Sequence, residues 1–148
     1  MILWKKRTLT GEIWVLDMSR LIIALSQTLK TVPVVINECA GVLQYAQTVF
    51  EGMKAYTTED GRIVTFRPDL NAERMENSAK RLEMPVFPKD RFIQAVVDTV
   101  KANAAYVPPF GSGATLYIRP YMFGTNPVIG VKPADEYQFR VFTTPVGP

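Results

Sequence analysis

Breaker residues divide residues 34–148 into short segments of regular period, and few layered arrangements can accommodate such segments in this order. Asp60-Gly61 separates two apolar-alternating runs, 49–56 and 62–66, and an Asp-Gly pair supplies the positive φ of a tight hairpin. Pro68 and Asp69 open the next segment. Proline suits a first helical turn, and the Asp side chain is expected to accept free backbone N–H groups there. Ala72, Met75, Ala79 and Leu82 recur at spacings of three and four, the mark of one buried helical stripe. Pro85 and Pro88 are expected to stop that helix. A second helix is predicted over 90–104, with Phe92, Ile93, Val96, Val97 and Val100 as its core face. Pro108, Pro109, Gly111 and Gly113 make a loop. Two more strands, 115–123 and 136–144, are joined by the loop 124–135. The order β-β-α-α-β-β predicts an α+β fold: a small mixed or antiparallel sheet with two helices packed on one face.

The 148 residues suit one domain. Residues 1–33 stand apart. Lys5, Lys6 and Arg7 precede an apolar run from Ile13 to Leu25, the layout of a signal peptide. Asp17 and Arg20 break that run, it is too short to span a bilayer, and no small-residue cleavage site follows. The reading adopted is a surface strand followed by a helix, with Ile22, Ile23 and Leu25 packing inward. A connector then runs from Ser26 to Pro33.

The chemistry open to the chain is narrow. There are 17 Lys and Arg against 14 Asp and Glu, and the basic residues are scattered, so nucleic acid is not an expected partner. Histidine is absent, which removes Ser-His-Asp and Cys-His catalysis and every His-ligated metal site. The single Cys39 allows neither an internal disulfide nor a cysteine metal cluster.

Alternation along 115–123 points Leu116, Ile118 and Met122 one way, and Thr115, Tyr117, Arg119 and Tyr121 the other. A guanidinium between two phenols reads as a carboxylate receptor, because its planar fork matches a carboxylate; it also reads as an ordinary solvated sheet face. In 49–56, Phe50, Gly52 and Lys54 share a face. A strand glycine marks either a close ligand approach or a bulge, and Phe50 beside it would wall an apolar pocket. Arg74 lies one position off the helical stripe. It reaches inward toward a phosphate, or pairs on the surface with Glu73 or Glu76. Gly111-Ser112-Gly113 is a short candidate anion nest. No lysine sits in an apolar pocket of the kind that Schiff-base chemistry requires.

Taken together, LQYAQTVFEGMKAY, FRPDLNAERMENSAKRLEMP, YVPPFGSGATLYIRP, IGVKPADEY and the closing PVG resemble the N-terminal small domain of a branched-chain amino acid aminotransferase. That family belongs to the fold type IV pyridoxal-phosphate enzymes, and the likeness covers about residues 34–148. The resemblance implies transfer of the amino group of leucine, isoleucine or valine to 2-oxoglutarate. It implies that Tyr45 and Phe50 line the substrate side-chain pocket, with Gly52 letting the substrate come close. Tyr117 and Arg119 would receive the side-chain carboxylate of glutamate or 2-oxoglutarate, and Arg74 would hold the cofactor phosphate. Ile129 and Val131 would lie on a loop that reaches into the other subunit's pocket in a homodimer.

The same resemblance sets several limits. The family's catalytic lysine lies beyond the PVG motif. The expectation is therefore a small domain without its large cofactor-bearing one, with no catalytic residue on this chain, no metal and no Schiff base with pyridoxal 5'-phosphate. Amino acids and 2-oxo acids are the expected partners, the cytoplasm is the expected location, and no membrane is involved. Residues 1–33 do not match the family's lead-in, expected to be a short glycine-containing hairpin. The rival readings are a D-amino acid aminotransferase, an aminodeoxychorismate lyase, or a non-catalytic interaction module.

Overall fold

The computed structural model describes the backbone of residues 3–8, 11–16 and 21–25, and residues 34–147 with their side chains. Its elements, in chain order, are β1 (Leu3–Thr8), β2 (Gly11–Leu16), β3 (Leu21–Leu25), α1 (Gly41–Tyr45), β4 (Thr48–Phe50), β5 (Met53–Thr57), β6 (Ile63–Thr65), α2 (Pro68–Arg81), α3 (Lys89–Ala102), β7 (Thr115–Gly124) and β8 (Tyr137–Val146). Among the described residues, the strands form one mixed sheet in the order β1-β2-β3-β8-β7-β5-β6, with β4 also on β7. The β3–β8 pair is parallel and the rest are antiparallel.

The long antiparallel pair β7–β8 is the spine of the fold, with register from Thr115↔Val146 to Gly124↔Tyr137. Its inner side chains Leu116, Ile118, Met122, Phe139 and Val141 are buried against Ala72 and Met75 of α2 and Phe92 and Val96 of α3. Phe139 is the centre of this layer. Phe87 stacks on it at 3.9 Å between ring centroids, and Phe92 leans on it at 6.0 Å. Two helices thus cover one face of the sheet, as the α+β reading predicts.

Five local expectations are corrected. The strand expected over 49–56 is divided into β4 and β5, although the register on β7 continues without a slip. Glu51 N–H donates to Pro120 O at 2.8 Å, but Pro120 has no N–H to return, so the ladder opens at Glu51 and Gly52. In α2 the Asp69 carboxylate accepts from Arg67 rather than from the helix's own N–H groups, and no side chain caps the helix. Leu82 does not join the buried stripe; it is exposed just past the end of the helix. Met84 N–H donates to Ala79 O and Glu83 N–H to Lys80 O, with Glu83 at φ 54°, so a left-handed cap ends α2 before Pro85 is reached. Finally, Leu21–Leu25 is a strand, not the expected helix. The packing of Ile22, Ile23 and Leu25 and the connector 26–33 lie outside the described residues.

Candidate functional site

The outer face of the sheet carries the cluster read from the alternation. Continuing the register through the ladder gap sets Gly52 opposite Arg119. Having no side chain, Gly52 leaves room for the Tyr117 ring to lean across. A Cβ there would meet the hydroxyl oxygen inside van der Waals contact, with ring Cζ at 3.2 Å. The leaning hydroxyl accepts from Arg119 Nε at 3.1 Å and from Nη2 at 2.6 Å. Arg119 Cζ in turn lies 4.3 Å from the centroid of the Phe50 ring, which is 59% exposed. Phe50, Gly52, Tyr117 and Arg119 therefore form one surface.

Its chemistry follows from the donors left over. Tyr117 accepts two bonds, so its own O–H proton is available. Arg119 keeps both Nη1 hydrogens and one on Nη2. These donors suit a carboxylate, and the Phe50 ring alongside suits an apolar group. Lys54 shares the face as expected and is exposed, paired in register with Tyr117.

Beneath this surface sits a residue that reading the sequence missed. Glu51 is 4% exposed, on the inner side of the strand between buried Val49 and Met53. Arg74 Nε donates to Glu51 Oε1 at 2.9 Å and Nη2 to Oε2 at 2.5 Å, while Asn71 Nδ2 donates to Oε2 at 2.8 Å. Arg74 thus pairs with neither helix neighbour: Glu73 is bonded by Lys89 and Glu76 by Lys80. Glu51 holds the Arg74 guanidinium above its ordinary pKa through these hydrogen bonds. The Arg74 side chain stays 63% exposed, which leaves Nη1 donors open to an anion. The signal in the sequence was a carboxylate on the apolar side of a strand, which demands a partner.

Tyr45 is placed elsewhere. Its hydroxyl accepts from Gly130 N–H at 2.8 Å, so it belongs with the 124–135 loop. It shares with Val131, Arg81 and Lys132 an open cleft of about 300 Å³. Ile129 and Val131 on that loop are exposed, Val131 at 92%. Ala134 N–H donates to Gln47 Oε1 and Asp135 N–H to Asn126 Oδ1, which pins the base of the loop. The structure therefore assembles two groups: Phe50, Gly52, Tyr117 and Arg119 in one, Tyr45, Ile129 and Val131 in the other. In the Gly111–Gly113 turn, Ser112 Oγ donates to Pro109 O and accepts from Ala114 N–H. Among the described residues there is no cluster of metal-ligating side chains, and no helix is long and apolar enough to cross a membrane.

Comparison with known proteins identifies the same segment. A branched-chain amino acid aminotransferase from Arabidopsis thaliana chloroplasts is 52% identical over 112 residues, covering 76% of this chain and 27% of the relative. A methionine aminotransferase from Arabidopsis thaliana is 50% identical over 112 residues, 76% of this chain and 31% of the relative. The crystal structure of the T.th. branched-chain amino acid aminotransferase complexed with N-(5'-phosphopyridoxyl)-L-glutamate matches with a TM-score of 0.64 and 26% identity, over 93% of this chain and 41% of that one. The chain thus spans about a third of the length of the curated relatives it matches. No family model matches it.

Proposed function

Given that the chain is a segment of the branched-chain amino acid aminotransferase family, an enzyme family of fold type IV, we propose that its outer sheet face is the substrate-binding wall of a transaminase. Amino transfer between leucine, isoleucine or valine and 2-oxoglutarate is the reaction inferred for the complete enzyme. The observation that carries this reading is Arg119 lying between the Phe50 ring and the Tyr117 hydroxyl.

One wall then serves two substrates. A branched side chain lies along Phe50, with Arg119 laid back against the ring. The carboxylate tip of 2-oxoglutarate draws donors from Arg119 Nη1 and the Tyr117 O–H. Gly52 gives both substrates close access to the backbone. Arg74 holds the cofactor phosphate through its Nη1 edge. When bound, pyridoxal 5'-phosphate supplies the electron sink for amino transfer. The residues of this chain bind, orient and discriminate; the lysine that moves the proton is assigned to the part of the relatives this chain does not span. Tyr45, Ile129 and Val131, exposed as one group, suit a homodimer in which they complete the neighbouring subunit's pocket. A cytoplasmic setting belongs to the same reading.

A chimera tests it: residues 34–147 replace the matching segment of a full-length relative, and transfer is assayed with leucine, methionine, D-alanine and aminodeoxychorismate. Methionine is included because a methionine aminotransferase is among the relatives. Arg119→Leu is expected to lower kcat/KM for 2-oxoglutarate by roughly 10- to 100-fold, the loss of one or two charge-assisted bonds. Use of leucine is expected to change by less than about threefold. Equal losses for both substrates would refute the role given to Arg119.

A further inference from the structure

We propose that Glu51 is the positioning residue for Arg74, and that it turns the guanidinium so that its Nη1–Nη2 edge faces an incoming phosphate. This rests on the cofactor placement above and extends it to a residue that touches no ligand.

Glu51 lies on the apolar inner face of its strand, where a lone carboxylate is costly to bury. Its two oxygens take three donors: Arg74 Nε, Arg74 Nη2 and Asn71 Nδ2. Asn71 also donates to Gly52 O at 3.3 Å, which ties the network to backbone left without a ladder partner. Asn71 and Arg74 stand three residues apart on α2, hence on one side of the helix. Arginine is a long, rotamer-rich side chain, and 63% of this one is in solvent. Two parallel bonds to one carboxylate fix the plane of the fork. With Nε and one Nη2 hydrogen engaged, three hydrogens remain, two of them side by side on the Nη1–Nη2 edge. An oriented pair of donors is what a phosphate oxygen pair requires.

Charge alone predicts the reverse effect. A buried carboxylate next to the anchor repels an anion, so removing its charge would tighten phosphate binding. Positioning predicts weaker binding. The sign of the change therefore decides between the two.

The experiment measures, in the chimera, dissociation constants for pyridoxal 5'-phosphate and for pyridoxal, which lacks the phosphate. The ratio of the pyridoxal constant to the pyridoxal 5'-phosphate constant isolates phosphate binding from any general loosening of the fold. Glu51→Gln is expected to shrink the ratio about tenfold, in line with partners that orient a ligand-binding group. It should have no further effect once Arg74→Leu is present. Asn71→Ala keeps both charges and removes one tether; it is expected to move the ratio the same way by about threefold. An unchanged or enlarged ratio in Glu51→Gln overturns the proposal and leaves the cofactor placement standing. An unchanged ratio in Arg74→Leu overturns that placement and the proposal with it. In the 148-residue chain itself, the Arg74 Nε–H is expected to exchange more slowly than that of Arg81, which has no partner among the described residues. Glu51→Gln should abolish the difference, and equal rates in the unsubstituted chain also overturn the proposal.

Discussion

Gly52→Ala separates packing from function at the outer face. No positive φ is involved at Gly52, so the backbone accepts alanine. The new Cβ would overlap the Tyr117 hydroxyl, with ring Cζ at 3.2 Å and Cε2 at 3.4 Å. Restoring ordinary contact moves the hydroxyl by about 1 Å. If Arg119 stays on Phe50, its 2.6 Å bond to that oxygen is stretched past hydrogen-bonding range. Tyr117 is only half-buried and can swing outward, so the stability cost is limited to the two lost bonds. At a solvent-screened site these amount to about 1 kcal/mol. The smaller unfolded-state entropy of alanine returns about 0.4–1 kcal/mol. Net stability, read by urea denaturation of the 148-residue chain, should therefore change by less than about 1 kcal/mol. In the chimera, kcat/KM for 2-oxoglutarate should fall about tenfold, because the phenol and guanidinium no longer converge. In a Tyr117→Phe background, with the hydroxyl gone, the same substitution should cost less than about threefold more. A stability loss above about 3 kcal/mol would show that Gly52 is a packing position. Undiminished use of 2-oxoglutarate would show that the Tyr117–Arg119 bond has no part in holding the acid.

The two remaining predictions concern the loop and the start of α2. Tyr45→Phe deletes the acceptor for Gly130 N–H and should raise amide exchange at Gly130 about tenfold, the equivalent of one hydrogen bond; an unchanged rate would mean the loop is held without Tyr45. Hydrogen bonds from Arg67, with its charge adding to them, lower the Asp69 carboxyl to about 2. A carboxyl depressed in the folded state contributes stability above its unfolded value of about 4, which is lost as pH falls toward about 2. Acid titration followed by circular dichroism should show that loss in the native chain and not in Asp69→Asn; superimposable curves would contradict it.

Local rules were legible in the sequence, and so the elements they govern were too. Asp60-Gly61 makes its turn with Gly61 at φ 78°. The alternation along β7 divides core from outer face at Leu116, Tyr117, Ile118 and Arg119 as read. Partners supplied by distant segments were not legible. The division of the strand over 49–56 comes from Pro120, about seventy positions along the chain, which no propensity at Glu51 or Gly52 reveals. Arg74 was read against its own helix, while its partner came from the sheet. Tyr45 was placed beside Phe50 only through the family resemblance; its hydroxyl accepts from a residue 85 positions away, a contact no local pattern reveals. Leu21–Leu25 is a short apolar run, whose period does not separate strand from helix; a parallel neighbour, β8, decides it.

The gap between β4 and β5 also explains why acceptor, arginine and glycine meet at one place. Gly52 lies between the two short strands, and its carbonyl is taken by a helix side chain, Asn71. That bond welds the helical layer to the sheet at the very spot where its opposite surface lies bare enough to meet a small molecule.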